Sequence, residues 1–168
     1  MIKIGILGDI GSGKSYVAKI FGYPVFNADE EVAKIYKKDK KIFGKLKKVL
    51  PKYIQSYPIK KNENSKAILL NKNNLKKIVK VIHYEIRKKM YVFLKKNKFK
   101  KIVILDIPLL LENRINKKND VLIFIKSEKS EIIKRLKKRK NFNQELLKKF
   151  KALQLPLDYK MKKSQYII

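Results

Sequence analysis

The 168-residue chain has no cysteine, no threonine and only four arginines, Arg87, Arg114, Arg135 and Arg139. Without cysteine there is no disulfide, no thiol nucleophile and no cysteine-ligated zinc, which fits a reducing compartment. No apolar stretch approaches the length of a membrane span, and the opening MIKIGILGDI is too short and too glycine-broken for a signal peptide. A cytoplasmic location is expected, with no membrane partner. Acids are scarce as well: 14 stand against 44 lysines and arginines, for a formal charge of +30. Such a charge invites a polyanion. Yet forty of the basic residues are lysine, and arginine, the side chain suited to bidentate phosphate and base recognition, is what the chain lacks. Two readings of the charge stay open, lysines accumulated on solvated faces or selected binding of a polyanion. No recognised nucleic-acid motif is present, so no specific nucleic-acid partner is expected. The hydrophobic content of 45% excludes a wholly disordered chain, and the length suits one domain.

Strand-like and helix-like segments alternate. Ile2 to Leu7 is a short, largely β-branched run that ends in a glycine turn, as a buried strand does. A helix is predicted from about Gly13–Lys14 through SYVAKIF. Pro24 to Asn27 reads as a second strand, followed by ADEEVAKIYKK, a helix with acids in its first turn. Residues 39–100 are lysine-rich and mostly helical in pattern, with Gly44, Pro51 and Pro58 as breaks and IKKNENSK and LNKNN as loops. Ile102–Asp106 and Val121–Ile125 are buried strands. SEKSEIIKRLKKRK and NFNQELLKKFKALQ are helices, and Gln165–Ile168 is a last strand. This alternation predicts an α/β fold, a parallel sheet with helices on both faces.

Three of only six glycines fall in one octet, GDIGSGKS, from Gly8 to Ser15. It matches G-x-x-x-x-G-K-[ST] between a strand and a helix, the context a P-loop requires. Glycines allow positive φ and close approach of the backbone to a ligand. Successive N–H groups then form an anion nest at the positive end of a helix. Lys14 reaches the β- and γ-phosphates and the Ser15 hydroxyl ligates Mg²⁺. Nucleoside triphosphate binding follows. Asp9 is the anomaly, a carboxylate where bound phosphate would repel it, so its side chain is expected to turn toward the acceptor side or a backbone donor.

Two of the few acids follow predicted strands, Asp29 and Asp106. Ligands gather at the carboxyl ends of parallel strands, so one of them can orient an attacking hydroxyl and the other help hold Mg²⁺ through water. Locally, Asp29 also reads as a helix N-cap and Asp106 as a turn residue before Ile107–Pro108.

Five segments together carry a resemblance. IGILGDIGSGKS, PVFNADEEVAK, VIHYEIRKKM, LDIPLLLEN, and RLKKR followed by LQLPLDYKMKKSQYII occur in this order, and the chain resembles the dephospho-CoA kinase family nearly end to end. The resemblance implies transfer of the ATP γ-phosphate to the ribose 3′-hydroxyl of dephospho-CoA, giving CoA and ADP, with ATP and Mg²⁺ as cofactors. It implies a P-loop NTPase fold, three-layer α/β/α with a five-stranded parallel sheet. One kinase domain is then divided into a core (1–38, 101–129, 157–168), a CoA-binding helical region (39–100) and a helical lid (130–156). By position, Gly8, Asp9, Ile10, Gly11, Ser12, Gly13, Lys14, Ser15 and Tyr16 bind nucleotide. Arg135 and Arg139, one helical turn apart, bring lid charge to the transferring phosphoryl group. Asp29 is the general base or hydroxyl-orienting group, catalytic together with Lys14 and Arg139. Asp29, His83, Arg87, Asp106, Pro108 and Leu109 serve the dephospho-CoA side, and Ser15 and Asp106 serve the metal. His83 and Arg87 share one helix face at their four-residue spacing. By sequence alone, Arg135 is equally a solvated helix residue.

The chain departs from the family pattern at several places. Asn27 stands where the family has the first aspartate of a pair, Tyr84 where it has proline, Tyr16 where threonine is common, and Leu111 where it has phenylalanine. The sequence stops at Ile168, where the family continues with an asparagine-containing turn and a closing helix, and weaker discrimination of adenine is expected. Three rival readings remain, another small-metabolite or nucleotide P-loop kinase, a basic nucleic-acid-binding protein with an NTP switch, and a degenerate, inactive relative, against which the retention of Lys14, Ser15, Asp29, Asp106 and Arg139 argues. The oligomeric state is left open.

Overall fold

In the computed structural model, residues 1–140 and 142–168 are described. The chain divides into two compact units, one formed by Met1–Asn27 with Phe93–Ile168, the other by Ala28–Val92.

The first unit is built on a five-stranded sheet of order β2-β3-β1-β4-β5. Its strands are β1 (Ile2–Gly8), β2 (Val25–Asn27), β3 (Ile102–Asp106), β4 (Val121–Ile125) and β5 (Tyr166–Ile167). Every pairing is parallel, as the alternation of elements predicts. Helix α1 (Lys14–Ile20) lies on one face, where Ala18 packs with Ile4, Ile6, Ile104, Ile123 and Ile125. On the opposite face Gly5 leaves space that Leu110 and Leu122 fill; an added Cβ would collide with Leu110 and stand 2.9 Å from Leu122. This is the expected α/β P-loop fold.

Three more helices belong to this unit: α6 (Lys129–Lys137), α7 (Gln144–Lys151) and α8 (Leu157–Lys163). The helix predicted through Lys140 ends at Lys137, so Arg139 is not one turn along α6 from Arg135 but lies in the turn that follows. Of the next predicted helix, Asn141 lies outside the described residues. Asn143 caps α7 by accepting from Leu146 N at 2.9 Å, which begins that helix later than predicted. Helix α8 departs from the sequence reading, in which its segment is only the approach to a last strand. It is anchored by Lys160, 1% exposed, whose Nζ donates to Glu112 Oε1 at 2.6 Å. The same oxygen accepts from Leu155 N at 2.9 Å, tying the turn after β3 to the entry of α8. Lys160→Met strands a buried carboxylate without its cation and is expected to cost about 3 kcal/mol, read as a lower urea midpoint with unchanged slope.

The second unit is helical. It comprises α2 (Ala28–Lys38), α3 (Lys40–Val49), α4 (Lys61–Leu70) and α5 (Lys72–Lys96), whose last turn enters the first unit. Pro51 and Pro58 do lie between helices, but Gly44 breaks nothing. It sits inside α3, where a glycine costs about 1 kcal/mol, and Asp39 at the cap together with buried Ile42 and Leu46 outweighs it. IKKNENSK is likewise not a loop, because KNENSK opens α4. Glu63 there accepts from Ser56 N and Oγ at 3.0 and 2.8 Å. In LNKNN only Asn71 interrupts the helices. Its Oδ1 accepts from Asn73 N at 2.9 Å, capping α5, and Asn74 Nδ2 donates to Ala67 O at 2.9 Å, satisfying the end of α4. Asn71 and Asn74 thus satisfy helix ends, and the loop predicted from the polarity of this segment is a break one residue long. No helix among the described residues is long and apolar enough to cross a membrane.

Candidate active site

The octet turns at the carboxyl end of β1, where Gly8 is registered against Ile125. Gly8 has φ +145°, and a Cβ there would lie 2.7 Å from both Ile125 O and Ser12 Oγ. Gly11, at φ +90°, would press a Cβ to 3.0 Å from Leu136 and 3.2 Å from Ile132. Both glycines are therefore required by backbone conformation and by space. Gly13 leads into α1 in the left-handed region with no side chain bonded at the cap, which leaves the amino end of the helix to an anion.

Helix α6 lies over this loop. Arg135 Nη1 donates to Ser12 O at 3.3 Å, and Ser127 Oγ donates to the same carbonyl at 2.8 Å. Arg135 is therefore a neighbour of the P-loop and not merely a solvated helix residue. Arg139 is exposed in the turn beyond α6. Lys14 Nζ donates to Asp9 O at 2.7 Å and to Gly8 O at 3.3 Å, so its ammonium is held across the loop by main-chain oxygens. The Asp9 side chain does turn to a backbone donor, accepting from Ile10 N at 2.6 Å. Tyr16 is 73% exposed, and its N–H donates to Gly13 O at 3.0 Å.

Beside the loop, β2 and β3 end together, with Asn27 registered against Asp106. Asn27 Nδ2 donates to Asp106 Oδ2 at 2.8 Å and reaches 3.5 Å from Ser15 Oγ. Asp106 is the last residue of β3 and only 3% exposed, so it is a strand-end carboxylate and the turn begins after it. Asn27, noticed in the sequence only as a departure, is thus the link between Ser15 and Asp106. Pro108 and Leu109 follow half-buried, and Leu109 O accepts from Asn113 Nδ2 at 2.8 Å.

The second unit carries the remaining candidates. Asp29 is exposed in the first turn of α2, with Glu30 and Glu31, inside the helix and not at its N-cap. His83 and Arg87 lie on α5 at the predicted spacing. Burial first, and the Arg87 charge second, hold the His83 imidazole below its ordinary pKa of 6.5. As pH falls through 6.5 the unfolded chain takes up a proton that the folded chain resists, so stability is lost on that side. His83→Gln is expected to remove this part of the slope, measured as urea midpoints at about pH 7.5 and about pH 6.

A family model described as dephospho-CoA kinase matches residues 2–168. A dephospho-CoA kinase of Wolbachia sp. subsp. Brugia malayi (strain TRS) is 35% identical over 170 residues, covering 98% of this chain and 87% of the relative. One of Wolbachia pipientis wMel is 33% identical with the same coverage. A crystal structure of a Thermus thermophilus protein superposes with a TM-score of 0.78 at 26% identity, over 99% of this chain and 86% of that one. With a P-loop in its required strand–helix context and a family match along almost every residue, the chain belongs to the dephospho-CoA kinase family, ATP-dependent phosphotransferases of coenzyme A biosynthesis.

Proposed function

We propose that this chain transfers the γ-phosphoryl group of ATP to the ribose 3′-hydroxyl of dephospho-CoA. The observation that carries the reading is the P-loop at the end of β1 beside Asp106 at the end of β3, in a chain that the family matches from residue 2 to 168. Phosphoryl transfer needs positioning and charge more than covalent chemistry. The loop amides and the Lys14 ammonium take the β- and γ-phosphates. Arg135, bonded to the loop, and Arg139 bring guanidinium charge to the phosphoryl oxygens as it develops. Asp29 accepts or orients the acceptor proton. His83, Arg87, Pro108 and Leu109 serve the acceptor side.

Mg²⁺ fits the donors present. Ser15 Oγ and Asp106 are oxygen ligands linked through one amide, and Mg²⁺ typically takes one or two protein oxygens and the rest from phosphates and water. Held by Ser15 and, through water, by Asp106, it would neutralise charge on the phosphates. The reaction is placed in the cytoplasm.

The test is chromatographic separation of products after incubation with ATP, Mg²⁺ and dephospho-CoA, with free nucleosides as competing acceptors. Equal amounts of CoA and ADP, and no nucleoside monophosphate, are expected. ADP without CoA, or phosphorylation of a free nucleoside, rejects the assignment.

A further inference from the structure

The P-loop of this chain contains its own repulsive charge. The Asp9 side chain is 14% exposed, and its charge repels a polyanion seated in the same loop across a partly solvated space that salt still reaches. Its two oxygens have different partners. Oδ1 accepts from Ile10 N at 2.6 Å, which fixes the carboxylate's direction. Oδ2 faces Lys151 Nζ at 3.0 Å. Lys14 Nζ donates to the main-chain oxygens of Gly8 and Asp9. Two ammonium groups therefore meet the loop, Lys14 at its carbonyls and Lys151 at its carboxylate.

We propose that Lys151, the last residue of α7, is a positioning residue for the nucleotide, acting through Asp9. By cancelling the Asp9 charge it lowers the repulsion that a phosphate entering the loop would meet. It also holds α7 to the P-loop, 142 residues away in sequence. The setting suits an ammonium, because the carboxyl end of a helix carries partial negative charge. Another α7 lysine, Lys149, reaches Glu145 of its own helix at 3.6 Å. A surface ion pair of this sort adds little to stability. Its effect falls on the affinity for phosphate.

This inference rests on nucleotide binding by the loop and not on the identity of the acceptor. It is tested by calorimetric titration with ATP and Mg²⁺ of the parent, Lys151→Met, Asp9→Asn and the double variant. Lys151→Met is expected to weaken ATP binding about fivefold to tenfold. The deficit shrinks at high salt, and the double variant returns to within about twofold of the parent, a coupling that a cycle isolates. Unchanged affinity in Lys151→Met overturns the proposal. So does a double variant as weak as Lys151→Met, or a deficit that salt does not reduce, because either assigns Lys151 a purely structural role. A parent that binds ATP yet makes no CoA would reject the acceptor assignment while leaving this comparison intact.

Discussion

Lys14→Met should lower kcat/KM for ATP about 10³-fold, or about 4 kcal/mol of transition-state stabilisation. Methionine keeps the length and the apolar stem of lysine and removes only the ammonium. In the folded chain that ammonium bridges Asp9 O and Gly8 O, so it is positioned on the loop before any phosphate arrives and loses little entropy on binding one. A preorganised charge of this kind contributes most when negative charge builds on the phosphoryl oxygens. The loop itself should survive the substitution. Its shape is set by the glycines at positive φ, by Ser12 N on Asp9 O at 3.2 Å, and by Ser127 and Arg135 on Ser12 O. A melting temperature within a few degrees of the parent is therefore expected alongside the kinetic loss. Lys14→Arg should also be poor, because a planar fork does not replace a point charge seated between two carbonyls. A parent-like rate in Lys14→Met would mean that the loop's amides alone suffice.

The elements that place this lysine were legible because their signals are local. Strand β1, the octet and α1 follow one another within twenty residues, and the glycines announce the turn whatever the rest of the chain does. Asp106 was found for a similar reason, as an acid closing a continuous apolar strand. What escaped the sequence is pairing over distance and asparagine in unexpected roles. Asn71 and Asn74 read as loop residues, yet one caps α5 and the other satisfies the end of α4, a choice decided by buried Ala67 and Ile68 rather than by polarity. Asn27 was visible as a departure, but that its amide would reach both Ser15 and Asp106 depends on the register of β2 against β3. Lys151 and Lys160 are two lysines among forty. Nothing in their neighbourhoods marks the one that meets Asp9 or the one buried against Glu112.

Asp29→Asn should reduce kcat for CoA formation by about 10²- to 10³-fold while leaving the affinity for ATP within about threefold, the range expected when a general base is removed. Asparagine matches aspartate in size and can still accept a hydrogen bond, so the substitution removes proton acceptance and charge and little else. Asp29 stands in the first turn of α2, exposed, where a helix amino end prefers an acidic side chain by about 0.3–1 kcal/mol of stability. Losing that preference is too small a change in stability to imitate a loss of 10²-fold or more. Glu30 supplies the control, since it occupies the same turn and is also exposed. Glu30→Gln removes the same unit of charge from the same helix end and is expected to stay within about twofold of the parent rate. Equal losses in the two variants would assign the effect to the field of the turn, and a loss confined to Asp29→Asn assigns it to one carboxylate.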